Sequence, residues 1–97
     1  MSVQVSPAAL ADLREAVDWY ETRAGRGVAS QLVAEFERLC ALVAHYPAAG
    51  RPTDHGRRLL AFRTFPYKLV FRAVGTDIRV VAVAHERRHP GAWQPRF

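Results

Sequence analysis

Ninety-seven residues, 49% of them hydrophobic and including five Phe, three Tyr and two Trp, make one globular domain over residues 1–97 and exclude a disordered chain. A single cysteine excludes an internal disulfide and a cysteine-built zinc site, and no apolar run approaches the roughly 18 residues of a membrane span. The formal charge of +5 is unevenly held: residues 1–50 set four arginines against six acids, while residues 51–97 set nine arginines and Lys68 against Asp54, Asp77 and Glu86. A basic C-terminal half attracts anions such as nucleic acid, an acidic protein segment or an acidic lipid surface. The plainer alternative is a solubilising surface. The opening "MSVQVSPAAL" lacks a basic segment followed by an apolar stretch, which predicts no secretory signal and a cytoplasmic protein. Phosphate-binding glycine loops and H-E-x-x-H are absent, and no cofactor is expected.

In chain order, "VQVS" is a short strand candidate at residues 2–5. Ser6-Pro7 starts a helix, with the serine as cap and the proline in the first turn. Its apolar face is Leu10, Leu13, Val17 and Tyr20, and Asp12 and Glu15 lie near its positive end. Gly25 and Gly27 break it. A second helix from about Val28 to Tyr46 carries the stripe Leu32, Phe36, Leu39, Val43 and Tyr46, so the two form an antiparallel hairpin. Residues 48–56 read as a loop. "RRLLAFRTF" (57–65), "YKLVFRAV" (67–74) and "IRVVAVAH" (78–85) read as strands, the last two joined by a tight Gly75-Thr76-Asp77 turn. The predicted fold is α+β, in the order β-α-α-β-β-β, with a two-helix hairpin on one face of a mostly antiparallel four-stranded sheet.

Strand alternation puts Tyr67, Leu69, Phe71 and Ala73 on one face and Lys68, Val70, Arg72 and Val74 on the other. In the last strand Ile78, Val80, Ala82 and Ala84 oppose Arg79, Val81, Val83 and His85. This predicts an apolar face under the helices and a cationic face of Lys68, Arg72, Arg79 and His85. Arg87 and Arg88 join this anion-binding set, and Arg63 belongs to it with a less certain facing because it alternates with Leu59, Ala61 and Phe65. Arginine binds carboxylate or phosphate through two parallel hydrogen bonds. A solvated face is the alternative, although such faces mix both signs and this one has almost no acids. His85 has two readings: a general base whose charged form Arg87 and Arg88 disfavour, or a strand-end residue bonded to backbone. His45, His55 and His89 show no ligand spacing with His85, so no metal site is expected. Cys40 lies beside the apolar stripe with no partner to activate it. Trp93 fills a groove between sheet and helix, or stacks on a base.

The element order, with "LREAVDWYE" at 13–21, "FRTFPYKLVFRA" at 62–73 and "VVAVAHERRHPGAW" followed by Arg96, resembles the RelE/ParE superfamily of toxins from bacterial type II toxin–antitoxin modules. The resemblance covers almost the whole chain. It implies a basic toxin neutralised by an acidic, partly disordered antitoxin. RelE-like members cleave mRNA in the ribosome, whereas ParE-like members inhibit DNA gyrase by binding it. An RNase needs a base, a phosphate clamp and an acid. The candidates for that chemistry are Lys68 and Arg87 at matching positions, His85 as a substitute base in a different arrangement and Trp93 where a tyrosine would stand, its indole able to stack but not to act as a phenol, while the early basic patch of Arg51, Arg57 and Arg58 has no lysine. "FPY" and "HERRHP" resemble the ParE side. The resemblance therefore implies a gyrase-binding toxin that is not an enzyme. The alternatives are a ribosome-dependent mRNA endonuclease and a non-toxic interaction domain.

Overall fold

The computed structural model describes residues 2–86. Strand β1 is Val3–Val5, helix α1 is Pro7–Ala24, helix α2 is Arg26–His45 and strand β2 is Arg51–Pro52. A short 3-10 turn at Asp54–Gly56 leads into β3 (Arg57–Ala61), β4 (Tyr67–Val74) and β5 (Asp77–His85). Ser6 caps α1 by accepting the Ala9 N–H at 3.1 Å, with Pro7 at the first helical position. A single residue, Gly25, separates the helices. Its φ of 92° turns the chain back, and its carbonyl accepts the Ala29 N–H at 3.2 Å. The break expected at two glycines is thus made by one, and Gly27 lies inside α2.

The sheet has five strands in the order β1-β5-β4-β3-β2. It is mixed: β1 runs parallel to β5, with Val3 beside Ile78 and Val5 beside Val80, while all other pairs are antiparallel. The expected four-stranded sheet is corrected by β2, which pairs Arg51 with Leu59 inside what reads as a loop. Two residues, one of them proline, carry no alternation to detect. Gly50, just before β2, has φ +74°, and a Cβ there would lie 2.0 Å from the Leu59 carbonyl oxygen, so only glycine fits. Both sheet edges are blunted, one by the short proline-containing β2 and the other by α1 beyond the end of β1.

The helices cover one face of the sheet. Leu13, Leu32, Phe36, Leu39 and Val43 pack against Leu69, Phe71, Ile78, Val80 and Val83. On α1 the buried face is Ala9, Leu13 and Ala16, and Leu10, expected inside, is 39% exposed. Phe62 and Phe65 are buried, yet they follow β3 instead of belonging to it. Glu35 of α2 holds that segment by accepting the N–H groups of Arg63 at 2.7 Å and Thr64 at 3.2 Å. Buried at 8% exposure, the same carboxylate pairs with Arg38 at 3.2 Å.

One irregularity controls the sheet. Val70 pairs with Ala82 and Phe71 with Val80, so Val81 is an extra residue on β5. Such a bulge shifts the two-residue alternation by one. Ile78 and Val80 face the helices before it, and Val83 faces them after it. Val81 and Ala82 both join a second small cluster with Val70 and Ala84 on the opposite face. Helix α1 secures the bulge. The Ser6 N–H donates to the Val80 carbonyl at 3.0 Å, the Ser6 hydroxyl to the Val81 carbonyl at 3.4 Å, and the Val83 N–H to Asp12 at 3.1 Å.

Asp12→Ala leaves the N–H of buried Val83 without this acceptor and is expected to cost about 1–3 kcal/mol of folding stability in urea denaturation. Asp12→Asn keeps an acceptor oxygen and should lose less. An Asp12→Ala chain as stable as wild type would show that Asp12 does not secure the bulge.

Candidate anion-binding face

The face of the sheet turned away from the helices gathers cations by strand register. Leu60 packs with the helix-side core, so Arg57, Leu59 and Ala61 of β3 point the other way. Leu69 and Phe71 likewise place Lys68, Val70 and Arg72 on that outer face. Arg79, between Ile78 and Val80, joins them. Arg57 sits opposite Arg72, and Arg72 opposite Arg79, in one row across three strands. Arg51, paired with Leu59, extends the same face at its edge. The next row is apolar and buried, made of Val70, Val81 and Ala82 with Leu59 against them. Lys68 lies beyond it, between Ala61 and Ala84. The five strands contain a single acid, Asp77, whose carboxylate accepts the Ser2 hydroxyl at 2.6 Å.

Of the residues expected on the cationic face, Lys68, Arg72 and Arg79 are brought together there. Arg57 and Arg51, which belong in sequence to the early basic patch of Arg51, Arg57 and Arg58, join them. Arg58 does not, since its guanidinium donates to the carbonyls of Ala48, Ala49 and Gly50 at 2.6–3.1 Å and ties down the loop after α2. Arg63 is exposed beside Glu35 and Arg38 at the α2 side, away from this face. His85 is a correction. The bulge turns it to the helix side, where it pairs with Tyr67 and meets that ring edge-on at 5.2 Å. There it lines an open pocket of about 340 Å³ with Asp12, Glu15, Trp19, Tyr20 and Tyr67. Lys68 and His85 therefore lie on opposite faces of the sheet. Arg87, Arg88, His89, Trp93 and Arg96 lie outside the described residues. Among the described residues no cluster of His, Cys, Asp or Glu is arranged to hold a metal ion, and no helix is long and apolar enough to cross a membrane.

With this geometry in place, comparison with known proteins gives two findings. A family model described as the ParE toxin of the type II toxin–antitoxin system parDE matches residues 3–90. A solved chain of the chromosomal ParDE toxin–antitoxin system from P. aeruginosa is 26% identical, with a TM-score of 0.78, over 88% of this chain and 95% of that one. No curated protein sequence matches.

Cys40 of α2 is half-buried against the core. Burial, with Glu37 nearby adding to it, pushes its thiol from 9.0 up to about 11. At pH 8 that leaves roughly a hundredfold less thiolate than an ordinary thiol has. Alkylation by iodoacetamide at pH 8 should be slower than in urea-unfolded chain by about that factor. Equal rates would show that the folded thiol is not suppressed. Because the folded chain holds this proton more tightly, the contribution to stability is complete below pH 9 and is lost as pH rises toward 11.

Proposed function

Since the chain belongs to the ParE toxin family of type II toxin–antitoxin systems, we propose that it is the toxin of such a module, arresting growth by binding DNA gyrase in the cytoplasm, and that a cognate acidic antitoxin neutralises it. The observation that carries the gyrase-binding side of this reading is the separation of Lys68 from His85. RNA cleavage needs a base, a clamp and an acid around one phosphate. Here the lysine stands on the outer face of β4, and the histidine is packed against Tyr67 under α1. The outer face instead offers Arg57, Arg72, Arg79, Arg51 and Lys68 around a small apolar strip, and Asp77 is the single acid within the strands. Fixed cations of one sign steer and orient an acidic macromolecular partner, and they require no chemistry. An antitoxin rich in carboxylates complements the same charge.

The test is a supercoiling assay with purified gyrase and relaxed plasmid. Increasing amounts of the chain should abolish supercoiling, and co-purified antitoxin should restore it. Total mRNA in arrested cells should remain uncut. Full supercoiling at saturating protein would rule out gyrase as the target, and cut messages would move the reading to a ribosome-dependent nuclease.

A further inference from the structure

The pocket between α1 and the sheet has walls of a chemistry opposite to that of the outer face. Asp12 and Glu15 line it together with the rings of Trp19, Tyr20, Tyr67 and His85, around a volume of about 340 Å³. The rings meet edge to face: Trp19 and Tyr20 at 4.8 Å, Tyr20 and Tyr67 at 6.5 Å, Tyr67 and His85 at 5.2 Å. Carboxylates beside aromatic rings suit a planar cation, which pairs with the acid and is drawn to the ring face. Trp19 already carries the Arg23 guanidinium over its ring at 4.5 Å. Among the described residues no arginine or lysine lines the pocket itself.

Helix α1 and strand β5 run in the same direction along this pocket. Ser6 meets Val80 and Val81, and Asp12 meets Val83. A helix advances about 1.5 Å per residue and a strand about 3.3 Å. Glu15 and Trp19 thus lie about 5 and 10 Å beyond Asp12, while positions 85 and 87 lie about 7 and 13 Å beyond Val83 if the strand direction holds. The backbone still follows its neighbour at Glu86, whose N–H donates to the Pro66 carbonyl at 2.9 Å. Alternation after the bulge puts Val83 and His85 on the helix side, and the next position of that parity is Arg87. Residues 87–97 contain three arginines and no acid, so their charge complements the acids of the pocket.

We propose that this pocket is a guanidinium site and that its occupant is Arg87 of the same chain. Glu15 pairs with the guanidinium, and the Trp19 and Tyr67 rings flank it. The two adjacent arginines then have separate roles: Arg87 fastens the start of the C-terminal segment to α1, and Arg88, of opposite parity, belongs to the cationic outer face.

The test is an NMR titration of the full chain, wild type and Arg87→Ala, with ethylguanidinium chloride at constant ionic strength, read at the Trp19 indole and Tyr67 ring resonances. The Arg87→Ala chain should bind the probe saturably. The wild type should bind it at least about tenfold more weakly, because only molecules with an empty pocket can take it up. Adding Glu15→Gln to Arg87→Ala should weaken binding about two- to fivefold. Arg88→Ala and Trp93→Ala should behave as wild type. If Arg87→Ala fails to fold, the wild-type chain labelled with 15N-arginine supplies the readout: the Arg87 Nε–H should show nuclear Overhauser contacts to the Trp19 or Tyr67 ring. Equal binding by wild type and Arg87→Ala, a pocket opened by Trp93→Ala instead, or an Arg87 Nε–H without those contacts would overturn Arg87 as the occupant. No binding to any chain would overturn the guanidinium site. Gyrase and antitoxin do not enter this measurement, so its outcome is separable from that of the supercoiling assay.

Discussion

Across 71 residues of sequence, the Asp12 carboxylate accepts the Val83 N–H at 3.1 Å and, with Ser6, fastens α1 to the bulged segment of β5. A bulge frees backbone groups from the ladder, and those groups need partners. Helix α1 supplies them at the point where β1 ends and β5 would otherwise present an open edge. The result is a strand whose two halves obey opposite alternations. Before Val81 the odd-numbered Arg79 faces outward. After it, the odd-numbered Val83 and His85 face the helices. The helix-side placement of Val83 and His85 follows from this one inserted residue.

The charge asymmetry of the chain becomes an asymmetry between layers. All six acids of the first half lie in the helices: Asp12, Glu15, Asp18 and Glu21 in α1, Glu35 and Glu37 in α2. Two of them serve the fold. Asp12 holds the bulge, and Glu35 holds the turn that delivers Phe62 and Phe65 to the core. The strands carry cations with one acid among them, so the face away from the helices is left positive. Concentrating like charge on a sheet opposes folding, and a partner of opposite charge offsets that cost on docking. A family whose toxins are paired with antitoxins is a setting in which such a face has a use.

Much of this was legible in the residues. The Ser6-Pro7 start, the long stripe of Leu32, Phe36, Leu39 and Val43, and the β4–β5 turn each express a local preference that tertiary contacts do not override. Lys68, Arg72 and Arg79 fall on the face that simple alternation assigns them because they lie where the alternation is unbroken. Arg57 and Arg51 were legible as basic residues, but nothing in the sequence sets β3 opposite β4 in the register that aligns Arg57 with Arg72. Phe62 and Phe65 looked like strand residues since aromatic content is a strand signal, yet the core takes them from a turn held by Glu35.

Length, composition and periodicity by themselves determined an α+β fold, a helical hairpin, an antiparallel strand pair and an excess of positive charge in the C-terminal half, because these depend on short-range spacing and on sums over residues. Tertiary structure alone decided the parallel pairing of β1 with β5, the addition of β2, the extra residue at Val81 and hence the side to which His85 turns. Each of these depends on backbone hydrogen bonds between segments distant in sequence, and such bonds leave no periodic trace in the side chains that accompany them.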